Sequence, residues 1–285
     1  MKKKIALVAL AAAAVGVQAA DWSDTALTYR HGTKFGEPFE GNNITKDIIG
    51  LNHVSGYKYG TNFFNVDYLM SKDGSADPAF PNASSGAREI YAAYRNTVDL
   101  EKATGKSYKT TGVRGLGVTF GGDYNVKNDA GYNSSKEMVV LGPTVMFDVP
   151  GFLNVSLLQL WESNSPYNAK TPAGTERYNY EPHPMLTAAW GISFSVASVP
   201  LSFEGFANVI SPKGKLESGR DSKTETNIDM QVMYDMSSAV GAQAKTFKVG
   251  VEYQFWKNKF GNDYSGVTGQ GAFAKTPMVR AEYHF

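Results

Sequence analysis

Phe247-Lys-Val-Gly-Val-Glu-Tyr-Gln-Phe-Trp256 alternates without a break. Phe247, Val249, Val251, Tyr253 and Phe255 fall on one face, and Lys248, Gly250, Glu252, Gln254 and Trp256 on the other. Period two marks a β-strand whose two faces meet different surroundings. The same division sets Ile228, Met230, Val232 and Tyr234 against Asp229, Gln231, Met233 and Asp235. At the end of the chain, Val279, Ala281, Tyr283 and Phe285 oppose Arg280, Glu282 and His284. A soluble sandwich would turn the apolar face inward. A barrel in lipid turns it outward, because a charge facing lipid at mid-membrane costs about 2–4 kcal/mol, and the charged face then lines the interior.

Outward from that stretch, segments of the same kind recur between Gly, Pro, Asn and Ser clusters. They read as strands at Thr25–Arg30, Ile44–His53, Lys58–Met70, Arg88–Val98, Arg114–Val126 and Glu137–Asp148. The series continues with Leu153–Glu162, Met185–Ser195, Val199–Asn208, Asn227–Met236, Thr246–Trp256 and Thr276–Phe285. About twelve strands predict an all-β, antiparallel, up-and-down transmembrane barrel with a water-filled interior and both termini periplasmic. Pro184 to Phe203, the longest uncharged stretch, is tested as a spanning helix and fails. Leu186, Ala188, Trp190, Ile192 and Phe194 recur at every second position, so two short strands with a turn at Ala197 to Pro200 are expected.

Connections after odd strands are longer and more polar: Ser71–Ala87, Ser163–His183, Val209–Thr226 and Lys257–Lys275. Several after even strands are tight, as at Val149-Pro150-Gly151-Phe152, the asymmetry expected between external loops and periplasmic turns. Glu101–Thr111 breaks that rule. Aromatics gather at the ends of odd strands (Tyr68, Tyr124, Trp161, Phe255) and of even ones (Phe147, Phe194, Tyr234, Phe285), as two interfacial girdles would require.

Lys2, Lys3 and Lys4 precede an apolar, alanine-rich run from Ile5 to Val17 that is too short to span a bilayer. Val17-Gln18-Ala19 supplies small residues at a cleavage site, so residues 1–19 read as a cleaved export signal and 20–285 as one barrel domain in the outer membrane. Losing three lysines takes the 28 basic residues to 25 against 27 acidic ones, a near-neutral balance that argues against a nucleic-acid binder. The chain has no cysteine, so neither a disulfide framework nor a thiolate metal site is available, and no cofactor is implied.

Parity places charges of both signs inside: Arg30, Arg95, Lys248 and Arg280 with Asp67, Asp123, Glu204, Asp229, Glu252 and Glu282. Phe63, Tyr91, Phe206 and Trp256 also point inward, where water has no need of aromatics. Such a lining suits a neutral polar solute better than an anion, which would call for Lys and Arg alone. Alternatively, the charges pair across the wall and the rings fill gaps. Gly115, Gly117 and Gly121 share the inner face of one strand, leaving room for a solute or a loop, or allowing a sharp bend.

Several runs carry a family resemblance: His53-Val-Ser-Gly-Tyr-Lys-Tyr-Gly-Thr-Asn-Phe-Phe-Asn-Val-Asp67, Val149-Pro-Gly-Phe-Leu-Asn-Val-Ser156 continuing to Trp161-Glu162, and Leu201-Ser-Phe-Glu-Gly-Phe-Ala-Asn208. Together with Phe255-Trp-Lys-Asn-Lys-Phe-Gly-Asn-Asp263 and the ending Lys275 to Phe285, the chain resembles the nucleoside-specific channel-forming (Tsx) family, with the closer likeness to its OmpK-type branch. The resemblance implies a monomeric twelve-stranded channel for nucleosides or similar solutes that can also serve as a phage or bacteriocin receptor. A general small-solute porin is the alternative. Tyr283 and the terminal Phe285 resemble the signal read by the outer-membrane assembly machinery. An outer-membrane phospholipase would need a nucleophile, a histidine and an orienting group held together, and none of His31, His53, His183 or His284 stands in a recognisable Ser/His motif, so no enzyme is expected.

Overall fold

The computed structural model describes residues 20–39, 43–72, 86–128, 132–168 and 176–285. The export signal expected at 1–19 lies outside the described residues, as do most of the loop at Ser71–Ala87 and part of that at Ser163–His183. Among the described residues, twelve long strands form one closed sheet. They are β1 (Trp22–Phe35), β2 (Ile44–Tyr57), β3 (Gly60–Ser71), β4 (Arg88–Asp99), β5 (Val113–Asn128) and β6 (Ser135–Phe147). The others are β7 (Phe152–Asn164), β8 (His183–Val196), β9 (Val199–Ile210), β10 (Glu225–Asp235), β11 (Phe247–Lys257) and β12 (Phe273–His284). Each pairs antiparallel with its chain neighbour, and β12 returns to β1 with Tyr283 opposite Leu27 and Arg280 opposite Arg30. Closure removes both sheet edges. One additional two-residue strand, Tyr178–Asn179, pairs with the last two residues of β7.

The outer face is apolar. Leu27, Ile49, Leu51, Leu141, Leu157, Leu186, Val232, Val251 and Val279 are each between 39% and 62% exposed there. Glu252, Glu282, Asp67 and Asp229 on the inner face are 2–8% exposed. That is the reverse of a soluble sandwich, and strands of at least 11 residues are long enough to cross a bilayer at a tilt. No helix among the described residues is long and apolar enough to do so.

Local chemistry explains the connections. Between β8 and β9, Ala197 and Ser198 both take positive φ, 48° and 69°, as a two-residue hairpin turn of primed type demands. β2 runs on to Tyr57, and Lys58, expected inside a strand, is instead in the two-residue turn to Gly60. The long connection after β4 is accounted for by a one-turn helix, α1 (Leu100–Thr104). Asp99 caps it by accepting from the backbone N–H groups of Glu101 and Lys102 at 2.9 and 3.3 Å, and Gly105 ends it in the left-handed conformation.

The interior is fuller than the expected water-filled lumen. Two apolar clusters occupy its loop half: Phe35, Ile44, Ile48 and Met278 on one side, and Val140, Leu158, Leu160 and Met185 on the other. Loops also fold over the mouth at that end. Phe39 donates its N–H to Thr268, Lys223 donates its N–H to Gly261, and Leu216 is 5% exposed.

Candidate functional site

Inward parity brings the strand charges together in pairs. On β12, Arg280 reaches Glu252 of β11 at 2.7 Å and Glu282 at 2.6 Å. On β1, Arg30 contacts Asp67 of β3 and lies 3.6 Å from Glu252. Gln254 donates to Asp229 at 3.1 Å, and Asp229 shares the field of Arg30. Farther round, Lys248 pairs with Glu204 at 3.2 Å, to which Gln231 also donates at 3.3 Å. Asp67, Glu204, Asp229, Glu252 and Arg280 therefore belong to one network. Its saturation is incomplete: Thr28 Oγ1 and Arg30 Nε are buried without a hydrogen-bond partner among the described residues.

A second group lines β3 to β5. Tyr91 donates its hydroxyl to Asp123 at 2.9 Å, and Arg95 grips both oxygens of the same carboxylate. Arg95 stands opposite Gly121, where a Cβ would lie 3.0 Å from its Cδ and 2.0 Å from the Tyr94 carbonyl. That glycine admits the Arg95 stem rather than a solute, loop or bend. Phe63 stands opposite Arg95 on β3 and remains 38% exposed. Phe206 of β9 stands opposite Asp229 and Ala189 and is half-buried. Nearer the turns, Thr97, Thr119, Thr144 and Ser156 form a hydroxyl chain across four strands, with oxygens 2.8, 2.6 and 2.7 Å apart.

Trp256 does not join these groups. It lies at the loop end, where its Nε1–H donates to Glu225, Lys259 sits 4.5 Å from its ring centre and Phe260 meets it edge-on at 5.0 Å. Around it is a cluster that sequence reasoning missed. Glu37 takes Lys259 at 2.9 Å and Lys46 at 3.1 Å, and Lys213 holds Glu162 at 2.7 Å. Burial alone would raise the Glu37 carboxyl, but Lys127, Lys259 and Lys46 bring it well below the usual carboxylate range. For Lys259 burial prevails, lowering its ammonium despite Glu37. Glu217 is likewise lowered against its burial, by hydrogen bonds from Tyr180 and Asn164. Lys46, Lys127, Lys136 and Glu162 lie on strands, where parity could have found them. Glu37, Lys213, Glu217 and Lys259 come from loops and carry no periodic signal.

Tyr283 and Phe285 lie on the outer face, 52% and 71% exposed, with ring centres 6.3 Å apart. His183, expected in a loop, opens β8; it is 1% exposed and its Nε2 lies 3.8 Å from Glu162. His284 lies between Glu282 and Asp24, 3.0 and 2.9 Å away. Among the described residues, no three His, Asp or Glu side chains converge as metal ligands would.

No protein-family model matches this sequence, and no curated protein does. Solved structures resemble its form. The translocator domain of the autotransporter NalP from Neisseria meningitidis is 10% identical, covering 100% of this chain and 96% of that one, with a TM-score of 0.45. KdgM porin is 10% identical over 91% and 99% of the two chains, with a TM-score of 0.39. LpxR from Salmonella typhimurium, also 10% identical, covers 92% and 99% with a TM-score of 0.39. Fold class rests on the closed sheet and apolar exterior of the chain itself: an all-β antiparallel barrel of the transmembrane kind.

Proposed function

We propose that this chain is a monomeric outer-membrane channel for facilitated diffusion of small neutral polar solutes, with nucleosides the preferred class. Its loop end faces outward, and its turns and termini face the periplasm. The observation that carries the reading is the unfinished hydrogen bonding at mid-barrel, where Thr28 Oγ1 and Arg30 Nε offer a hydroxyl and a donor together. A buried polar group without a partner calls for water or a ligand, and a sugar hydroxyl both donates and accepts. Opposite charges already in contact leave little net field to select for an ion. Phe63 and Phe206 offer partly open rings on which a base can stack, a contact worth about 1–3 kcal/mol in other base-binding proteins. Binding remains weak, since a channel must release what it admits. The family resemblance points to nucleosides within this class. Uptake by proteoliposomes of nucleosides, free bases, sugars and amino acids tests the proposal. Nucleosides passing faster than sugars of similar size are expected. Equal rates would leave a general small-solute porin, and no uptake would end the channel reading.

A further inference from the structure

The outer wall carries a second feature that the passage of solutes does not use. Three adjacent strands each present an outward lysine at the loop end: Lys34 from β1 and Lys275 from β12, both exposed, and the half-buried Lys257 from β11. Lys257 stands opposite Phe273, and Lys275 opposite Phe255. The Lys34 carbonyl accepts from Thr276, which sets that lysine beside Lys275. The lysines border an aromatic patch in which Phe273 meets Phe255 at 5.0 Å and Tyr264 at 5.2 Å. Lys275 lies 4.6 Å from the Phe273 ring centre, and Lys257 lies 5.4 Å from that of Tyr264. An open groove of about 440 Å3 passes Lys34, Lys275, Tyr264 and Phe273.

No ion pair among the described residues uses any of these three lysines. The outward carboxylate on neighbouring β2, Asp47, is already engaged by Tyr29 at 2.8 Å and His31 at 2.7 Å. Three cations without carboxylates therefore stand above an apolar band, around rings suited to an interface. A ligand matched to them carries phosphate at the level of the lysines and acyl chains below. We infer that this patch binds a phosphorylated glycolipid of the outer leaflet. The phosphates lie against Lys34, Lys257 and Lys275, the sugar against Tyr264 and Phe273, and the acyl chains along the apolar wall. A juxtamembrane lysine attracts an anionic lipid, and three together make the binding readily measurable.

The inference rests on the loop end facing outward, as proposed above. The chain has no native cysteine, and Val267 in the same loop region is 76% exposed. Labelling of Val267→Cys in intact cells by a membrane-impermeant maleimide therefore tests orientation separately, and no labelling would overturn the inference. Loss of solute uptake alone would overturn the channel and leave the lipid site standing. For the site, the protein in zwitterionic micelles is titrated with bis-phosphorylated lipid A and with the same lipid stripped of both phosphates. Retained lipid is counted by native mass spectrometry. The wild type is expected to retain the phosphorylated form. The triple variant Lys34→Ala/Lys257→Ala/Lys275→Ala should bind at least about tenfold more weakly, and Lys102→Ala/Lys106→Ala at the turn end should match the wild type. Inorganic phosphate should compete poorly, since it lacks the chains. Equal retention of the stripped lipid, or by the triple variant in its folded form, would refute the site; displacement by inorganic phosphate would make it a free-phosphate site instead.

Discussion

Arg30 on β1 reaches Asp67 on β3 across the intervening strand, above Gly50 of β2. A Cβ on Gly50 would lie 2.5 Å from Asp67 Oδ1 and 2.5 Å from Thr28 Oγ1. Flanking inward positions on β2 are filled by Ile48 and Asn52. The missing side chain thus lets a charge pair bridge a strand rather than merely span a neighbouring pair. Both side chains are 11% exposed, so neither charge has ready recourse to water.

Removing one member of such a pair strands the other. Asp67→Ala is expected to destabilise the folded barrel by about 3–5 kcal/mol, while Arg30→Met/Asp67→Leu recovers most of the loss. Gly50→Val should also destabilise it, by forcing the two charges apart. Urea unfolding from lipid vesicles measures all three; an Asp67→Ala loss under about 1 kcal/mol would show that water reaches the pair.

The outer face is tested at Ala92, opposite Val66 on β3 and next to outward Ile90, which is 42% exposed. Ala92→Leu should fold into vesicles as the wild type does, and Ala92→Arg should be poorer by about 2–4 kcal/mol. Ala93 is a poor comparator because it is 8% exposed against the inner packing, where any long side chain clashes. Equal folding yields for the Leu and Arg variants would put Ala92 on the inside.

Strand parity was legible because lipid and interior impose opposite chemistry on alternate residues. Val251 and Glu252 are 62% and 2% exposed, as their alternation implies. Strand ends were less legible. β1 runs from Trp22 to Phe35 rather than Thr25 to Arg30. Beyond the membrane, backbone pairing continues while the demand for alternating side chains lapses. The inward position of Trp256 could be read from β11, but its neighbours could not. Glu37 and Lys259 lie 222 residues apart in irregular segments, and only the folding of both loops over the mouth makes them a pair. The path of a loop depends on tertiary packing that no short-range period encodes.

The last residue offers a test of biogenesis. Phe285 donates its N–H to Thr25 at 2.9 Å and presents its ring outward beside Tyr283. Deleting it costs one closing hydrogen bond, an interfacial ring and the terminus expected to engage the assembly machinery. The amount of protein in outer-membrane fractions is expected to fall several-fold, whereas Phe285→Tyr stays near wild type. Undiminished insertion of the deletion would reduce the ending to ordinary strand sequence.

Glu37 makes the loop cap sensitive to acid. Its carboxyl is lowered in the folded state, so its contribution is present above the ordinary unfolded value of about 4.3 and is lost as pH falls through the lower folded value. The cap should therefore stay closed from neutral pH down to about pH 4 and open only below that. Glu37→Gln should open it already at neutral pH, because Lys46 and Lys259 lose their shared anion. Quenching of Trp256 fluorescence in a variant lacking the other three tryptophans follows the change. A cap that opens between pH 7 and 5 in the unmodified sequence would contradict the direction of the shift.

Solute selectivity should divide between ring and carboxylate. Phe206 stands opposite Asp229, so one variant removes a stacking face while another alters a neighbouring acceptor. Phe206→Ala takes away base contact but enlarges the passage. Nucleoside flux at low concentration should fall severalfold, in keeping with a contact of about 1 kcal/mol, and small sugars should pass as fast or faster. Phe63→Ala should act similarly, since that ring is also open to the interior. Trp256→Ala is a less selective test, because it also releases Glu225 and uncovers Lys259 at the mouth. Asp229→Asn keeps the size of the side chain and leaves an amide oxygen for Gln254 while replacing the carboxyl beside Arg30. If ribose hydroxyls bind near this network, Asp229→Asn should slow nucleosides more than free bases, the converse of Phe206→Ala. Proteoliposome uptake with each variant separates the two effects. A parallel loss for nucleosides, bases and sugars in both would mean that the changes act on the width of the barrel, and the proposal of a site reading base and sugar separately would fail.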